Sequence, residues 1–149
     1  MTEEQVKKAI RDIPDFPSKG ILFKDLTTAF KEPSCMKWFE NELYKRYKDK
    51  GITKIVGIES RGFVVAPILG NRLNIGFVPM RKKGKLPAET VEISYSKEYG
   101  IDTIELHKDS LTTDDIILIH DDLLATGGTM IAACKLAKKF NVKKYTSIF

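Results

Sequence analysis

The chain has 149 residues, of which 42% are hydrophobic and 30% are charged, the size and balance of one ordinary globular domain. No run approaches the ~18 apolar residues of a membrane span, and the acidic, amphipathic start "MTEEQVKKAI" is neither a secretory signal nor a transit peptide. A net charge of +5 allows a nucleic acid, an anionic membrane or a small polyanion as a partner.

The densest basic cluster is "MRKKGKLP", residues 80–87. It lacks the interleaved aromatic residues of a protein that binds single-stranded nucleic acid. We therefore expect no nucleic acid and no membrane among the partners. Two interpretations of the cluster stay open at this point, a solvated loop and a loop that faces a phosphate.

The two cysteines indicate a reducing compartment. Cys35 and Cys134 fall in predicted helices, far apart and without metal-ligand spacing. Reduced, buried thiols are typical of the cytosol, so the predicted location is cytoplasmic.

The start of the chain predicts a helix followed by a poorly patterned segment. Thr2 and Gln5 have the spacing of a capping box, and apolar residues continue at helical spacing as far as Ile13. Two prolines and a glycine in residues 14–20 end this helix. Residues 21–30 are mostly apolar and are predicted to be irregular.

From Ser34 onward the pattern is one of helices alternating with short apolar strands. A helix is predicted from Ser34 to a left-handed cap at Gly51. The predicted strands are residues 54–59, 75–80, 115–120 and 144–149, and the predicted helices between them are residues 62–73 and 129–140. This alternation predicts an α/β fold, a parallel sheet covered by helices on both faces.

Residues 90–107 break that alternation. Val91, Ile93 and Tyr95 alternate with polar residues, and so do Ile104 and Leu106 on the other side of "KEYG". A period of two predicts a half-exposed antiparallel hairpin, a solvent-facing flap inserted into the α/β core. Flaps that cover a site exclude water and often carry a catalytic group.

The stretch "HDDLLATGGT", residues 120–129, places two carboxylates beside a loop of small residues at the carboxyl end of a predicted strand. The loop amides and the following helix N-terminus favour a phosphate, which the carboxylates would repel. The carboxylates must therefore face sugar hydroxyls or a cation, and a ribose 5-phosphate meets both demands. The alternative is a tight turn whose aspartates are only caps. It is not a Walker loop, because no lysine follows the second glycine.

At this stretch the chain resembles the type I phosphoribosyltransferases, whose signature for phosphoribosyl diphosphate (PRPP) joins two acids to a T-G-G-T-like loop. Four other segments are similar to the adenine-specific branch of that family, in the same order: "FPSKGILFKDLT", "IVGIESRGFVVAP", "VPMRKKGKLP" and "SYSKEYG". The resemblance runs from about residue 15 to residue 133. It implies one phosphoribosyltransferase domain over residues 1–149, with an adenine-binding hood at 1–33 and an antiparallel catalytic flap at 88–108.

The resemblance also implies the roles of individual residues. It places the phosphoribosyl group of PRPP or AMP on Asp121, Asp122, Ala125, Thr126, Gly127, Gly128 and Thr129. It places pyrophosphate on Ser60, Arg61, the backbone of Gly62, Arg81 and Lys85, which favours the phosphate-facing interpretation of the basic cluster. Adenine is expected on the main chain of Leu22 and Lys24, with Phe23 as an apolar wall; the alternative is ordinary core packing.

Glu98, in the predicted flap, matches the family's carboxyl group that binds adenine N7 as acid and base, and Tyr99 is expected to pack over the closed site. Taken without the resemblance, Glu98 reads as an exposed turn residue. Three positions depart from the family pattern: Glu59 replaces aspartate, Lys24 stands where arginine is frequent, and His120 replaces an apolar residue.

The implied activity is purine salvage, in which the 5-phosphoribosyl group of PRPP is transferred to N9 of adenine, giving AMP and pyrophosphate. The implied cofactor is Mg²⁺ held through PRPP, with no direct protein ligand, and the implied assembly is a homodimer. The family usually continues beyond the position of Phe149, so the chain is expected to be shorter at this end. Two alternatives are a phosphoribosyltransferase for another purine base and a non-catalytic PRPP-binding regulator.

Overall fold

A computed structural model describes residues 1–97 and 100–149 of the chain. The contacts divide the chain into two units, Met1–Arg46 and Tyr47–Phe149. The expected hood segment, residues 1–33, falls in the first unit, and the expected flap segment, residues 88–108, falls in the second. Within the described residues, no helix has both the length and the apolar character needed to cross a bilayer.

The first unit combines short helices with a two-stranded sheet. Its elements are α1 (Glu3–Ala9), β1 (Arg11–Pro14), β2 (Leu22–Asp25), α2 (Thr27–Phe30) and α3 (Pro33–Tyr47). The capping box predicted at Thr2 and Gln5 is present. A small core of Val6, Ala29 and Cys35 holds the helices together, and Trp38 is among the half-buried residues that pack against it.

Two predictions for this unit were wrong. The first helix ends at Ala9 instead of continuing to Ile13, and residues 21–30 are the ordered elements β2 and α2. Both errors have one cause, because β1 and β2 pair antiparallel. The Arg11 guanidinium also donates to the Asp25 carboxylate, with Nη2 to Oδ2 at 2.5 Å. Contacts between two different strands produce no periodic pattern in the sequence of either strand, so the sequence does not predict them.

The second unit contains a six-stranded sheet. Its elements are β3 (Lys54–Ile58), α4 (Gly62–Leu73), β4 (Gly76–Lys82), β5 (Thr90–Ser96), β6 (Ile101–His107), β7 (Ile116–His120), α5 (Gly128–Lys138) and β8 (Lys144–Ile148). The strand order is β5-β6-β4-β3-β7-β8. Strands β4, β3, β7 and β8 are parallel, which confirms the predicted α/β fold with its two strand–helix–strand crossovers.

The two helices of this unit lie on opposite faces of the sheet. Neighbouring residues of a strand point to opposite faces. Ile55 of β3 contacts the α4 side at Gly70, whereas the adjacent Val56 belongs to the core cluster that contains Met130 and Leu136 of α5. Because the central strands are buried on both faces, they are almost continuously apolar.

The predicted hairpin is present, but only its first strand is half-exposed. Strand β5 is half-buried from Thr90 to Ile93 and alternates only from Ser94 to Ser96, whereas Ile104, Glu105 and Leu106 of β6 are all buried. The reason is that β6 pairs with β5 on one side and with β4 on the other, through Arg81 and Lys82. The hairpin therefore extends the main sheet, and part of the basic cluster is strand instead of loop.

Candidate active site

The carboxyl ends of three parallel strands meet at one edge of the sheet, and the candidate residues follow them. Glu59, Ser60 and Arg61 come after β3, Asp121 and Asp122 come after β7, and Arg81 and Lys82 end β4. Ligands of open α/β sheets bind at this edge. The structure thus brings the predicted pyrophosphate residues and the predicted acidic pair to the same side of the second unit.

A cavity of about 480 Å³ opens at this edge. Most of its lining residues are polar or charged. The lining residues are Ile58, Glu59, Ser60, Arg61, Met80, Lys82, Lys85, Tyr95, Lys97, Asp102, Ile104, Asp121 and Thr129. Five predicted site residues from four segments of the chain therefore border one space: Ser60, Arg61, Lys85, Asp121 and Thr129.

The two adjacent aspartates have different surroundings. The Asp122 side chain is 3% exposed, and its Oδ2 lies 2.8 Å from Nε of Arg61. Its Oδ1 is buried and has no hydrogen-bond partner among the described residues. Asp121 borders the cavity, and burial, together with the neighbouring Asp122 charge, raises the pKa of its carboxyl above the usual range. One carboxylate is thus held by a cation, while the other faces the open space.

The loop after the aspartates has the backbone that its glycines predict. Gly127 has φ of 82°, a left-handed conformation that L side chains rarely adopt, and helix α5 starts at the next residue. The first N–H groups of a helix have no partner within it. A second cavity of about 180 Å³ is bordered by Arg61, Asp121 and residues 123–130, which include every predicted residue of the phosphate loop.

The basic cluster is organised by Glu59. Its carboxylate accepts from Lys85 Nζ at 2.5 Å, from the Lys82 amide at 3.0 Å and from Arg81 Nε at 3.3 Å. Burial would raise the pKa of Glu59, but these donors lower it to about 2. Arg81 also donates from Nη1 to the Lys85 carbonyl, 3.1 Å away. Arg81 therefore braces the loop, while Lys82 and Lys85 border the cavity.

Glu105 is a second buried anchor of this loop, which the sequence reasoning missed. The residue is 3% exposed. Its carboxylate accepts from the amides of Lys85 and Leu86, at 3.2 and 3.1 Å, and from the Thr90 hydroxyl at 3.3 Å. A glutamate on the polar side of a predicted hairpin gives no signal of this role, because the role depends on the pairing of β6 with β4.

The base of the hairpin brings further charged groups to the cavity. Asp102 accepts from Lys97, and Lys82 Nζ lies 3.3 Å from its Oδ2. The Tyr95 hydroxyl lies 3.5 Å from the same oxygen and 3.1 Å from Oγ1 of Thr129. The sequence did not single out Lys82, Lys97 or Asp102, and it identified Tyr95 only as an apolar position. The predicted residues Glu98 and Tyr99 lie outside the described residues.

The predicted adenine residues lie on β2 of the first unit. Leu22 and Lys24 are two positions apart, so their N–H and C=O groups face the same edge of the strand. Phe23 packs edge-to-face against Phe16, with the ring centroids 5.2 Å apart. Lys24 Nζ forms an ion pair with Asp12 at 2.6 Å, so the side chain at this departure from the family pattern has a partner within its own unit.

Gly62 and His120 are in close contact behind the acidic pair. A Cβ atom on Gly62 would lie 2.6 Å from the His120 carbonyl oxygen, so only glycine allows α4 to start this close to β7. The His120 ring is buried, and neither nitrogen has a hydrogen-bond partner among the described residues. Burial lowers the pKa of His120 to about 4, so the ring is neutral at pH 7.

A family comparison matches the chain from residue 32 to residue 148 to the phosphoribosyl transferase domain. Two similar relatives are adenine phosphoribosyltransferases. That of Bacteroides thetaiotaomicron is 62% identical over 144 residues, which are 97% of this chain and 82% of the relative. That of Proteus mirabilis is 49% identical over 134 residues, which are 90% and 73% of the two chains.

Solved structures agree with these matches. The enzyme from Giardia lamblia complexed with 9-deazaadenine has a TM-score of 0.93 at 43% identity, covering 99% of this chain and 83% of that one. The Saccharomyces cerevisiae enzyme has a TM-score of 0.89 at 37% identity, covering 97% and 86%. It was solved with adenine and an imino-altritol bisphosphate.

Proposed function

The chain belongs to the phosphoribosyltransferase family, on its adenine-specific branch, and we propose how its residues divide the work of that reaction. The enzyme transfers the 5-phosphoribosyl group of PRPP to N9 of adenine, which yields AMP and pyrophosphate in purine salvage. The observation that carries the assignment is one cavity bordered by cations, by an acidic residue and by the start of a glycine-loop helix.

The glycine loop holds the 5-phosphate, and the acidic pair holds the ribose. The small cavity at residues 123–130 supports the first assignment, because loop amides and a helix N-terminus suit a phosphate. The unpartnered Oδ1 of Asp122 supports the second, because a buried acceptor needs a donor such as a hydroxyl. Asp121 borders both cavities and is placed to bind the sugar between them.

Pyrophosphate leaves against the cations of the larger cavity. Departure of pyrophosphate puts positive charge on the ribose ring and negative charge on the leaving oxygen. Arg61 and Lys85, with the hydroxyl of Ser60 and the backbone of Gly62, stabilise that negative charge, and Arg81 holds the basic loop in position. The phosphate-facing interpretation of the basic cluster is supported because Lys85 lines this cavity.

Mg²⁺ accompanies PRPP in this proposal. Within residues 1–97 and 100–149, no three His, Cys, Asp or Glu side chains come together as a metal cage. Mg²⁺ retains waters and binds substrate oxygens, so Asp121 and Asp122 would hold it through PRPP and its waters. When bound, Mg²⁺ neutralises part of the pyrophosphate charge.

Adenine is activated by Glu98 and recognised by the main chain. Adenine loses its N9 proton as it attacks. A carboxyl group bonded to N7 can act as an acid in one direction of the reaction and as a base in the other. Glu98 has this role, and Tyr99 covers the site. The main-chain groups of Leu22 and Lys24 on β2 offer an acceptor for the 6-amino group and a donor for N1, with Phe23 between them in the sequence. A purine without that amino group would leave these groups unpaired.

The enzyme works as a cytoplasmic homodimer in this proposal. The free thiols of Cys35 and Cys134 support a reducing compartment. The dimer rests on the family membership. Sedimentation of the purified protein checks the assembly, and a single boundary at the monomer mass would reject it.

The experiment that tests the function is a substrate panel. The purified enzyme is incubated with PRPP and Mg²⁺ and with adenine, hypoxanthine or guanine, and the nucleotides are separated by chromatography. AMP forms from adenine, and no nucleotide forms from the other two bases. Nucleotide formation from hypoxanthine at a comparable rate would contradict the adenine assignment.

A further inference from the structure

Tyr95 connects the hairpin to the phosphate loop through a hydroxyl contact. Its oxygen lies 3.1 Å from Oγ1 of Thr129, the second residue of α5. We propose that Tyr95 is a positioning residue, an inference that rests on the proposed function. Its hydroxyl donates to Oγ1 of Thr129 and so turns the Thr129 hydroxyl hydrogen toward the 5-phosphate.

The position of Thr129 makes it the junction of the site. Thr129 borders the cavity of about 480 Å³, the loop cavity of about 180 Å³ and a third cavity of about 310 Å³ between β5 and the loop. Tyr95 borders the first and the third but not the loop cavity. The hydroxyl of Tyr95 therefore reaches the loop cavity through Thr129, whereas its ring lies beside Gly128.

The direction of the hydrogen bond follows from the competing acceptor. A tyrosine hydroxyl has one hydrogen, which can go to Thr129 Oγ1 at 3.1 Å or to Asp102 Oδ2 at 3.5 Å. The Asp102 oxygen is already approached by the ammonium groups of Lys97 and Lys82. The 3.5 Å contact is at the limit of hydrogen-bond length, so in this proposal the hydrogen goes to Thr129 Oγ1 at 3.1 Å. The Thr129 hydrogen is then available to an anion.

Tyr95→Phe removes this hydroxyl and keeps the ring in the core. AMP and ribose 5-phosphate carry the 5-phosphate, whereas inorganic pyrophosphate does not. We expect the dissociation constants of AMP and ribose 5-phosphate, measured by calorimetry, to rise about two- to tenfold, the range of one net hydrogen bond. In the reverse reaction of AMP with pyrophosphate, the KM for pyrophosphate stays within experimental error.

The matched control is Tyr145→Phe. Tyr145 is also half-buried against the same core cluster, but it lies on β8 and borders none of the three cavities. It should leave every ligand constant unchanged. Equal weakening of AMP and pyrophosphate by Tyr95→Phe would show general damage and overturn the proposal.

Substitutions at Thr129 test the route. In a Thr129→Val background, Tyr95→Phe should cause no further loss of AMP affinity, because the hydroxyl that it positions is gone. In a Thr129→Ser background, which keeps the hydroxyl, the loss should reappear. If Tyr95→Phe weakens AMP binding as much in the Thr129→Val background as alone, Tyr95 does not act through Thr129 and the proposal is refuted.

Unchanged or tighter AMP binding in Tyr95→Phe alone would mean that Thr129 is the donor, and it would also overturn the proposal. A failure of the proposed function looks different, because the unmodified enzyme would then neither bind AMP nor make it from adenine and PRPP.

Discussion

Gly127→Ala tests whether the phosphate loop depends on a left-handed backbone. Gly127 has φ of +82°, and the nearest atom to a Cβ there would be Leu124 Cδ1 at 3.9 Å. The methyl group therefore has space, and the cost is the backbone strain of a non-glycine residue, about 1–2 kcal/mol. If the loop relaxes to escape that strain, forming the phosphate-binding arrangement costs the same amount. The affinity for AMP then falls by about 5- to 30-fold.

Gly51→Ala is the matched control. Gly51 has φ of +65°, and the nearest atom to a Cβ there, Ile116 Cδ1, is also 3.9 Å away. The two substitutions therefore impose similar strain with similar free space. Gly51 lies between α3 and β3, outside the cavities at the strand ends, so its cost should appear as lost stability with unchanged AMP affinity.

Both variants are compared by calorimetric titration with AMP and by urea denaturation. The expected result is weaker AMP binding for Gly127→Ala only, together with a lower free energy of unfolding for Gly51→Ala. If the two variants bind AMP equally well, the phosphate does not depend on the backbone at Gly127. The predicted dependence of AMP binding on the left-handed backbone of the loop is then refuted.

Glu98→Gln should lower kcat by at least about a hundredfold while the KM for PRPP stays nearly constant, since general acid–base catalysis contributes about that much; an unchanged kcat would remove its acid–base role. Glu59→Gln should raise the KM for PRPP by about two- to tenfold without weakening AMP binding, because the Lys85 and Arg81 donors lose a charged acceptor. Glu59→Asp should preserve both the KM for PRPP and the affinity for AMP. Asp115 is a test of stability against pH: burial would raise its pKa, but hydrogen bonds led by that of Lys54 lower it to about 2. The unfolded value is near 3.9, so its stabilisation is present above pH ~5, falls as the pH approaches 2 and amounts to about 2–3 kcal/mol. Denaturation at pH 6 and at pH 2.5 should therefore show a gap between the native protein and Asp115→Asn that narrows in acid, and a constant gap would contradict the pKa.

The elements that the sequence predicted well are those whose signal is local. The central strands are buried on both faces, so a short apolar run was enough to locate β3 and β7. The glycine loop could also be predicted from the sequence, because Gly127 needs the left-handed conformation that only glycine adopts freely. Two of the motifs that carry the family resemblance, residues 55–67 and 119–129, lie at these same places. The adenine-specific branch was identified with the help of three further motifs, residues 16–27, 78–87 and 94–100.

The features that the sequence did not predict depend on which strands become neighbours. Nothing in "IDTIELH" distinguishes Glu105, which is buried as an anchor, from an exposed glutamate of a free hairpin. Only the pairing of β6 with β4 puts it under the basic loop. The short strand β1 was missed for the same reason, since Arg11 and Asp25 become partners only after β1 and β2 pair.

The electrostatics of the cavity explain why removing a carboxylate should weaken the binding of an anion there. Three acids near the cavity hold five cations by direct contacts: Arg61 is held by Asp122, Arg81 and Lys85 by Glu59, and Lys82 and Lys97 by Asp102. With Asp121, which borders the cavity, these acids number four, so the cations still exceed them by one. The excess of positive charge attracts pyrophosphate, while the acids fix the long side chains against their mutual repulsion.

Without Glu59, the positive potential would rise, but Lys85 would lose its fixed position and would have to be ordered again for each ligand. Ordering a lysine side chain costs up to about 2 kcal/mol. Glu59 lies behind Lys85, and one unit charge about 8 Å from an anion contributes about 2 kcal/mol at an effective dielectric of ~20, before screening by salt. At physiological salt the loss of order should therefore outweigh the gain in potential, and the KM for PRPP should rise in Glu59→Gln; a lower KM in 0.15 M salt would reverse that conclusion.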